Sequence, residues 1–289
     1  MTTLSSPDRT RASRPANRLR MTPGRGLALV LGVPVVLTLI AAGGYSVVQN
    51  LGRASFPISY QVPVPPSGLA MSVGGGNVTV RGDAPSATTA QVSGTVSYDI
   101  GRPSVRYGAT GISLNCPRID LGNCDLSATV DVAASTAVKL TTGGGDLSVS
   151  GVSGVVSAST DGGNVSATGL SGGVTLSTGG GDVTVSQLSG PVSLHTDGGN
   201  ITGTGITSTQ VRASTGGGDI QLTLTRAPQD LTVNTDGGNV TIVVPAGVSY
   251  RVNDNTGGGT VTNNVHLDST SPYQITATSG GGDITINPS

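Results

Sequence analysis

From Leu147 onward, apolar and polar positions alternate in short bursts separated by runs of glycine. After Asp182, Val183 and Val185 fall on one side, followed by Leu188, by Val192 and Leu194, and by Thr196. One unit earlier the equivalents are Val165, Ala167, Leu170, Val174, Leu176 and Thr178. Successive side chains of a strand point to opposite faces, so these positions share an inner face. The Ser, Thr and Gly between them share the outer one. Each unit therefore predicts two short strands, one glycine-rich turn and one softer corner of the Leu-Ser-Gly type.

The glycine-rich turn recurs down the chain. It reads TGGGD at 142–146, TDGGN at 160–164, TGGGD at 178–182 and TDGGN at 196–200. It continues as TGGGD at 215–219, TDGGN at 235–239, TGGGT at 256–260 and SGGGD at 279–283. Successive motif ends lie 18, 18, 18, 19, 20, 21 and 23 residues apart. A period near 20 residues marks a solenoid. Antiparallel hairpins in zigzag would also fit two strands per unit. The near-constant period, with equivalent residues at equivalent places, favours coils stacked in parallel about 4.8 Å apart, Val on Val and Leu on Leu. The predicted fold is all-β: a parallel β-solenoid (β-helix) of coils 18–23 residues long over residues 142–289. Residues 67–141, which include "LAMSVGGGNVTVRG" and "LSATVDVAASTAVKL", are expected to form a less regular β segment. The closing "DITINPS" is read as an end of the sheet with Pro288 to blunt it.

The turns invite chemistry. Glycine supplies positive φ without steric cost, and the Thr before it faces inward, where its hydroxyl can satisfy a turn amide. Stacked turns would set a column of pure Asp about 4.8 Å apart. Alternating GGGD with DGGN doubles the distance between like charges, provided that the turns do stack. Calcium is the competing reading, with Asp161, Asn164 and Asp182 plus carbonyls as hard ligands. Calcium takes six or more oxygens, and the nine-residue period of calcium-loaded β-rolls is absent.

Composition adds a location. Aromatic residues make up 2% of the chain and tryptophan is missing, so the core must be aliphatic. Six arginines (Arg9, Arg11, Arg14, Arg18, Arg20 and Arg25) precede residue 26, against Asp8 alone. From Ala54 onward 8 Arg and Lys oppose 15 Asp, a net of −7, and glutamate is absent. Between these parts lie 23 uncharged residues, Gly26 to Val48, enough to span a bilayer core. The flanking arginines orient the span. A cleaved signal peptide is the alternative, and the length of the apolar run favours an uncleaved anchor. The expected layout is a basic cytoplasmic tail (1–25), a transmembrane helix (26–48), a Pro-rich linker (49–66), the irregular β segment (67–141) and the solenoid (142–289). That describes a single-pass cell-membrane protein with its C-terminal domain outside. Cys116 and Cys124 then face an oxidising compartment and are expected to form a disulfide, two free thiols being the alternative.

Several functional classes lose their support. A phosphate-binding loop needs GKS or GKT, and Lys139, the only lysine, precedes leucine. The glycine runs open strands, whereas a dinucleotide site needs them to open a helix. The acidic body disfavours nucleic acid. His195 falls on an outward strand position and is read as a solvated surface residue, and His266 is the only other histidine. No catalytic residue, metal ligand or cofactor is assigned. The outer face carries Ser148 and Ser150, Ser166 and Thr168, Thr184 and Ser186, then Thr202 and Thr204, a pattern that degrades after Gln221. Threonine arrays of this kind bind ice in some solenoids, but Ser and Thr are also what a solvated strand uses where Lys and Glu are scarce.

The stretches "ATVDVAASTAVKLTTGGGDLSVSG" and "VVPAGVSYRVNDNTGGGTV" resemble the bacterial putative-adhesin domain family, a domain of unknown function. The resemblance covers residues 67–289. It implies a β-solenoid without catalytic residues, held at the membrane in some members. The resulting expectation is a non-catalytic adhesin or envelope-interaction module, anchored through residues 26–48, with a cell-surface protein or polysaccharide as ligand. The alternatives are a structural or sensory ectodomain that partners another envelope protein, and a calcium-stabilised surface repeat.

Overall fold

The computed structural model describes residues 54–84, 88–99, 104–108, 111–115 and 124–289. The basic tail, the expected span at 26–48 and Cys116 lie outside the described residues. Gly52–Ser289 forms one compact unit. Among the described residues all regular structure is strand, and no helix is long and apolar enough to cross a membrane.

The strands follow in chain order. The N-terminal group is β1 (Ala54–Pro63), β2 (Leu69–Val73), β3 (Val78–Arg81), β4 (Thr89–Tyr98), β5 (Ser104–Gly108), β6 (Gly111–Asn115) and β7 (Cys124–Asp131). The repeat supplies β8 (Val138–Thr142), β9 (Leu147–Ser150), β10 (Val156–Thr160), β11 (Val165–Thr168), β12 (Val174–Thr178) and β13 (Val183–Ser186). It continues with β14 (Val192–Thr196), β15 (Ile201–Ile206), β16 (Gln210–Thr215), β17 (Ile220–Leu224), β18 (Asp230–Thr235) and β19 (Val240–Val244). The last group is β20 (Ser249–Thr256), β21 (Val261–Asn263), β22 (His266–Leu267), β23 (Gln274–Ser279) and β24 (Ile284–Pro288).

These strands form two twelve-stranded sheets, and each coil of the repeat gives one strand to each. Sheet A runs β1-β4-β7-β3-β9-β11-β13-β15-β17-β19-β24-β21. Sheet B runs β22-β20-β23-β18-β16-β14-β12-β10-β8-β2-β6-β5. The repeat pairs in parallel with the register that the apolar pattern predicts. Val156, Val174 and Val192 share one column, and Ala158, Leu176 and Leu194 the next. Leu147, Val165, Val183 and Ile201 align in sheet A. All of these side chains are buried, as are Leu170 and Leu188 at the soft corners. A one-residue slip would turn every one of them to solvent, so the core fixes the register. Where Gly203 leaves a gap in its column, Ile206 fills it, with its Cδ1 2.8 Å from where a Cβ on Gly203 would stand.

Chain order and stacking order part at both ends. At the N-terminal end, β2 pairs with β8 and β3 with β9. Residues 69–81 therefore form a full coil of the solenoid, with a ninth turn, GGGN at 74–77, although the sequence pattern places them before it. The later strands β6 and β7 stack outside this coil. Part of the expected linker is also structured. β1 lies antiparallel to β4 as the edge of sheet A. Pro57 and Pro63 are tolerated there because an edge strand leaves one row of amides without a ladder partner.

At the C-terminal end the last coil in sequence is not the last in space. β23 lies between β18 and β20, and β24 between β19 and β21. "DITINPS" is therefore an interior strand, and the open edge belongs to residues 249–267. There the inner columns turn polar. Asp254 continues the column of Val233 and Ala277, and Asn263 that of Ile242 and Ile286. Asn263 Nδ2 donates to Asp254 Oδ2 at 3.2 Å. Tyr250 is fully buried beside Tyr273, its hydroxyl donates to the Pro245 carbonyl at 3.0 Å, and burial pushes its pKa up to about 12. A polar pair over the column ends and a buried ring beneath them close the aliphatic interior.

Candidate functional site

The turns stack, and their last residues alternate Asn and Asp in spatial order. That order is Asn77, Asp146, Asn164, Asp182, Asn200, Asp219, Asn239, Asp283 and finally Thr260. Each of these side chains except that of Thr260 accepts a backbone N–H from the next coil. Asp146 donates to Asn77 Oδ1 at 2.9 Å, Asn164 to Asp146 at 2.8 Å and Asp182 to Asn164 at 2.9 Å. Asn200 donates to Asp182 at 2.7 Å, Asp219 to Asn200 at 2.8 Å and Asn239 to Asp219 at 2.7 Å. The ladder continues through the inserted coil, Asp283 to Asn239 at 2.9 Å and Thr260 to Asp283 at 2.7 Å. Asn and Asp offer the same acceptor, so the backbone bonds do not require alternation. Charge does. The amide of Asn164 also donates to Asp146, and that of Asn239 to Asp219, each at 3.3 Å, which a carboxylate could not do.

Inside this ladder runs a second one. Thr178 Oγ1 accepts from Gly181 N at 3.1 Å and donates to the Gly163 carbonyl at 2.7 Å. Thr196 repeats this with Gly199 and Gly181, and Ser279 with Gly282 and Gly238. The hydroxyl thus satisfies a turn amide, as its inward position predicts, and it also ties its coil to the previous one. The expected reason for the glycines is different. Gly179, Gly180 and Gly181 do not adopt positive φ. Residues that do include Gly151, Gly169, Gln187 and Gly205, one strand further on. At the third turn position of the repeat, as at Gly181, glycine answers to the closeness of the neighbouring coil, whereas Gly76 of the turn at 74–77 has a positive φ of 104°.

Asp161, Asn164 and Asp182, weighed above as calcium ligands, are exposed, and the ladder occupies one oxygen of both Asn164 and Asp182. Carboxylates of one column stand two coils apart, about 9.5 Å, which is too far to share one ion at ligand distances of about 2.4 Å. Among the described residues, no group of three His, Cys or acidic side chains could hold a metal. A hollow of about 560 Å³ opens at the N-terminal part of this edge, lined by Gly74–Asn77, Gly143–Gly145, Asp125 and Ser127. Its walls are mainly glycine backbone and offer no acid–base pair.

Two predictions arise from the ladder. Asn200→Asp would put three carboxylates, at 182, 200 and 219, on adjacent coils while keeping every backbone acceptor. The loss of stability should be on the order of 1–2 kcal/mol at low ionic strength. Unfolding curves with and without added salt should show most of it recovered by screening. The second concerns Asp283, whose carboxyl is held below the usual 3.8 by the Thr260 N–H and then by the Thr260 hydroxyl. A depressed carboxylate pKa gives stability that is full above the unfolded value and lost as pH falls through the folded one. Amide protection in residues 257–263, taken relative to the intrinsic exchange rate at each pH, should therefore fall as pH drops below the usual value, and Asp283→Asn should flatten that response.

The outer faces differ. On sheet A one row of aligned residues crosses all twelve strands: Ser59, Ser93, Thr129, Thr79, Ser148, Ser166, Thr184, Thr202, Gln221, Thr241, Thr285 and Thr262. Gln221 interrupts this row but does not end it: Thr241 on the next strand resumes it, and Thr285 of the inserted coil carries it on to Thr262. Sheet B is charged in places, with Lys139, and with Arg212 bridged to Asp230 at 2.8 Å. His195 lies on its outer face, as expected, but it has partners that the sequence reading missed. Its Nδ1 is 2.9 Å from Ser214 Oγ and its Nε2 is 3.1 Å from Asp197 Oδ1. The signal for Asp197 lay in "LHTDGGN", where Asp197, the first residue past β14, follows His195 by two and so falls on the same side. Cys124 opens β7, and the expected disulfide depends on Cys116, outside the described residues.

Two sheets, parallel throughout the repeat and closed around an aliphatic interior with polar outer faces, define a β-solenoid. The chain belongs to the Toastrack DUF4097 family, which matches residues 68–287. No curated protein matches it. A solved "putative adhesin" of Parabacteroides distasonis shares 14% identity at a TM-score of 0.50, covering 82% of this chain and 97% of that one. A second "putative adhesin", from Bacteroides fragilis, shares 16% identity over the same proportions, 82% and 97%, at a TM-score of 0.47. At such identities the likeness concerns the fold alone.

Proposed function

We propose that this protein is an envelope-interaction module of the adhesin type, held at the membrane by residues 26–48 and binding through the outer face of sheet A. The observation that carries this reading is the row of aligned polar side chains across all twelve strands of that sheet, with a hydroxyl on every strand except the one that carries Gln221. Flat parallel sheets space such groups at about 4.8 Å across strands, and a row of this length suits an extended polymer better than a small molecule. The name of the Parabacteroides neighbour is consistent with such a role. A disulfide between Cys116 and Cys124 would close the segment between β6 and β7 covalently.

The test is co-sedimentation of the full chain, in mild detergent, with isolated cell-wall polysaccharide, with and without a calcium chelator. Retention that is lost in the Thr184→Lys/Thr202→Lys double variant supports the reading. No retention, or retention indifferent to the double variant, overturns it. Loss on chelation alone would assign binding to calcium instead of to the hydroxyl row.

A further inference from the structure

The turn opens with an aspartate in three coils, at Asp161, Asp197 and Asp236. Two residues before it stand Ser159, His195 and Asn234, so one coil alone places an imidazole beside this carboxylate. Gly179 and Gly216 occupy the equivalent turn position on either side of Asp197, and no side chain crowds it. His195 Nε2 lies 3.1 Å from Asp197 Oδ1, and Nδ1 lies 2.9 Å from Ser214 Oγ on β16, the next strand in register.

The direction of these bonds follows from donor chemistry. An ionised carboxylate only accepts, so Nε2 carries the proton. In the neutral ring Nδ1 is then the lone-pair nitrogen, and the Ser214 hydroxyl must donate to it. A hydroxyl donating to an imidazole whose far nitrogen is held by a carboxylate is, with the two ring nitrogens exchanged, the arrangement that activates a serine nucleophile in the Ser-His-Asp triad. Two potential donors share this outer face of sheet B beside Ser214. Asn234 is in register with it on β18, and Arg212 lies two residues earlier on β16.

We propose that Ser214 is a nucleophilic hydroxyl that accepts acyl groups from activated carboxylic esters, with His195 as its base and Asp197 as the positioning residue. Ser214 Oγ forms the new bond to the acyl carbon while its proton passes to His195 Nδ1. The bond from that carbon to the leaving oxygen breaks, and the departing alcohol takes the proton from Nδ1. The products are an acyl-serine and a free alcohol, with neutral imidazole restored. The side chains of His195 and Asp197 are 52% and 77% exposed, so water is not excluded. Solvent screens the contact between Asp197 and His195, so acylation of Ser214 is expected to be slow. This reaction is independent of the adhesin reading, because it lies on the other sheet.

The experiment treats the full chain with 4-nitrophenyl acetate, follows nitrophenolate release and maps acetylated peptides by mass spectrometry. Acetylation of Ser214 should exceed that of Ser177, the other in-register neighbour of His195, by about tenfold or more, within the range that a positioned base supplies. His195→Ala should abolish the excess, and Asp197→Asn should lower it severalfold. Asp197→Glu should restore part of it, which a merely structural role for Asp197 would not produce. Circular dichroism of each variant should match the parent, since both substituted side chains are at the surface. Equal labelling of Ser177 and Ser214, or labelling of Ser214 that survives His195→Ala, would overturn the proposal.

Discussion

Gly181→Ala is expected to unfold the coils around it, and Gly180→Ala, one residue earlier, to leave stability almost unchanged. A Cβ on Gly181 would stand 2.5 Å from the carbonyl carbon of Gly163 in the coil below and overlap its oxygen more closely still. The same Cβ would reach Asn164 N at 2.9 Å. These atoms are backbone, fixed by the buried Thr178 bond to the Gly163 carbonyl and by the bond from Asp182 N to Asn164 Oδ1. No rotamer change relieves the clash. Relief requires the coils to part, which breaks both ladders. The cost should be at least about 3 kcal/mol, at the severe end for a single methyl. At Gly180 the only atom near a new Cβ is the Gly162 carbonyl oxygen at 4.0 Å, ordinary contact distance. There the change should be under about 1 kcal/mol. Chemical denaturation of the two variants tests the contrast, and equal losses would show that φ, not coil spacing, selects glycine in these turns.

That contrast shows what the sequence did and did not disclose. The period, the inward Val and Leu positions and the buried Thr were legible, because an inner face with a two-residue rhythm has one arrangement that buries it. The role of glycine was read as conformational, although it depends on the adjacent coil, which a single turn does not reveal. The stacking order was hidden for a related reason. A repeat fixes what each coil looks like but not which coil it meets. The clue lay in the charges. In sequence order the last turn residues run Asn239, Thr260, Asp283, and the alternation fails. Placing Asp283 between the other two restores it, just as Asn77 fits beside Asp146. The alternation was legible as charge separation, and it also encodes neighbours. His195 was placed on the correct face, yet its contact with Ser214 required knowing which strand lies beside it.

A chain ending after Tyr273 is expected to lose much more than its last coil. If coils stacked in sequence order, removing residues 274–289 would trim the end and leave residues 249–263 seated on β18 and β19. In the observed order β20 and β21 rest on β23 and β24 instead. Without them, Thr256 loses the Gly282 carbonyl and Thr260 loses Asp283, leaving β22 as the strand partner of β20. Ile275, Ile284 and Ile286 are fully buried, and their loss alone removes roughly 5 kcal/mol or more of apolar burial. The cap cannot simply drop one coil and close the gap, because Asp254 would then lie over Val233 where it now lies over Ala277. Hydrogen exchange should show residues 249–263 unprotected, β18 and β19 weakened, and β12 to β15 protected as before, since each coil contacts chiefly its neighbours. Protection retained across 249–263 would mean that the cap restacks, and that the inserted coil contributes length without holding the end closed.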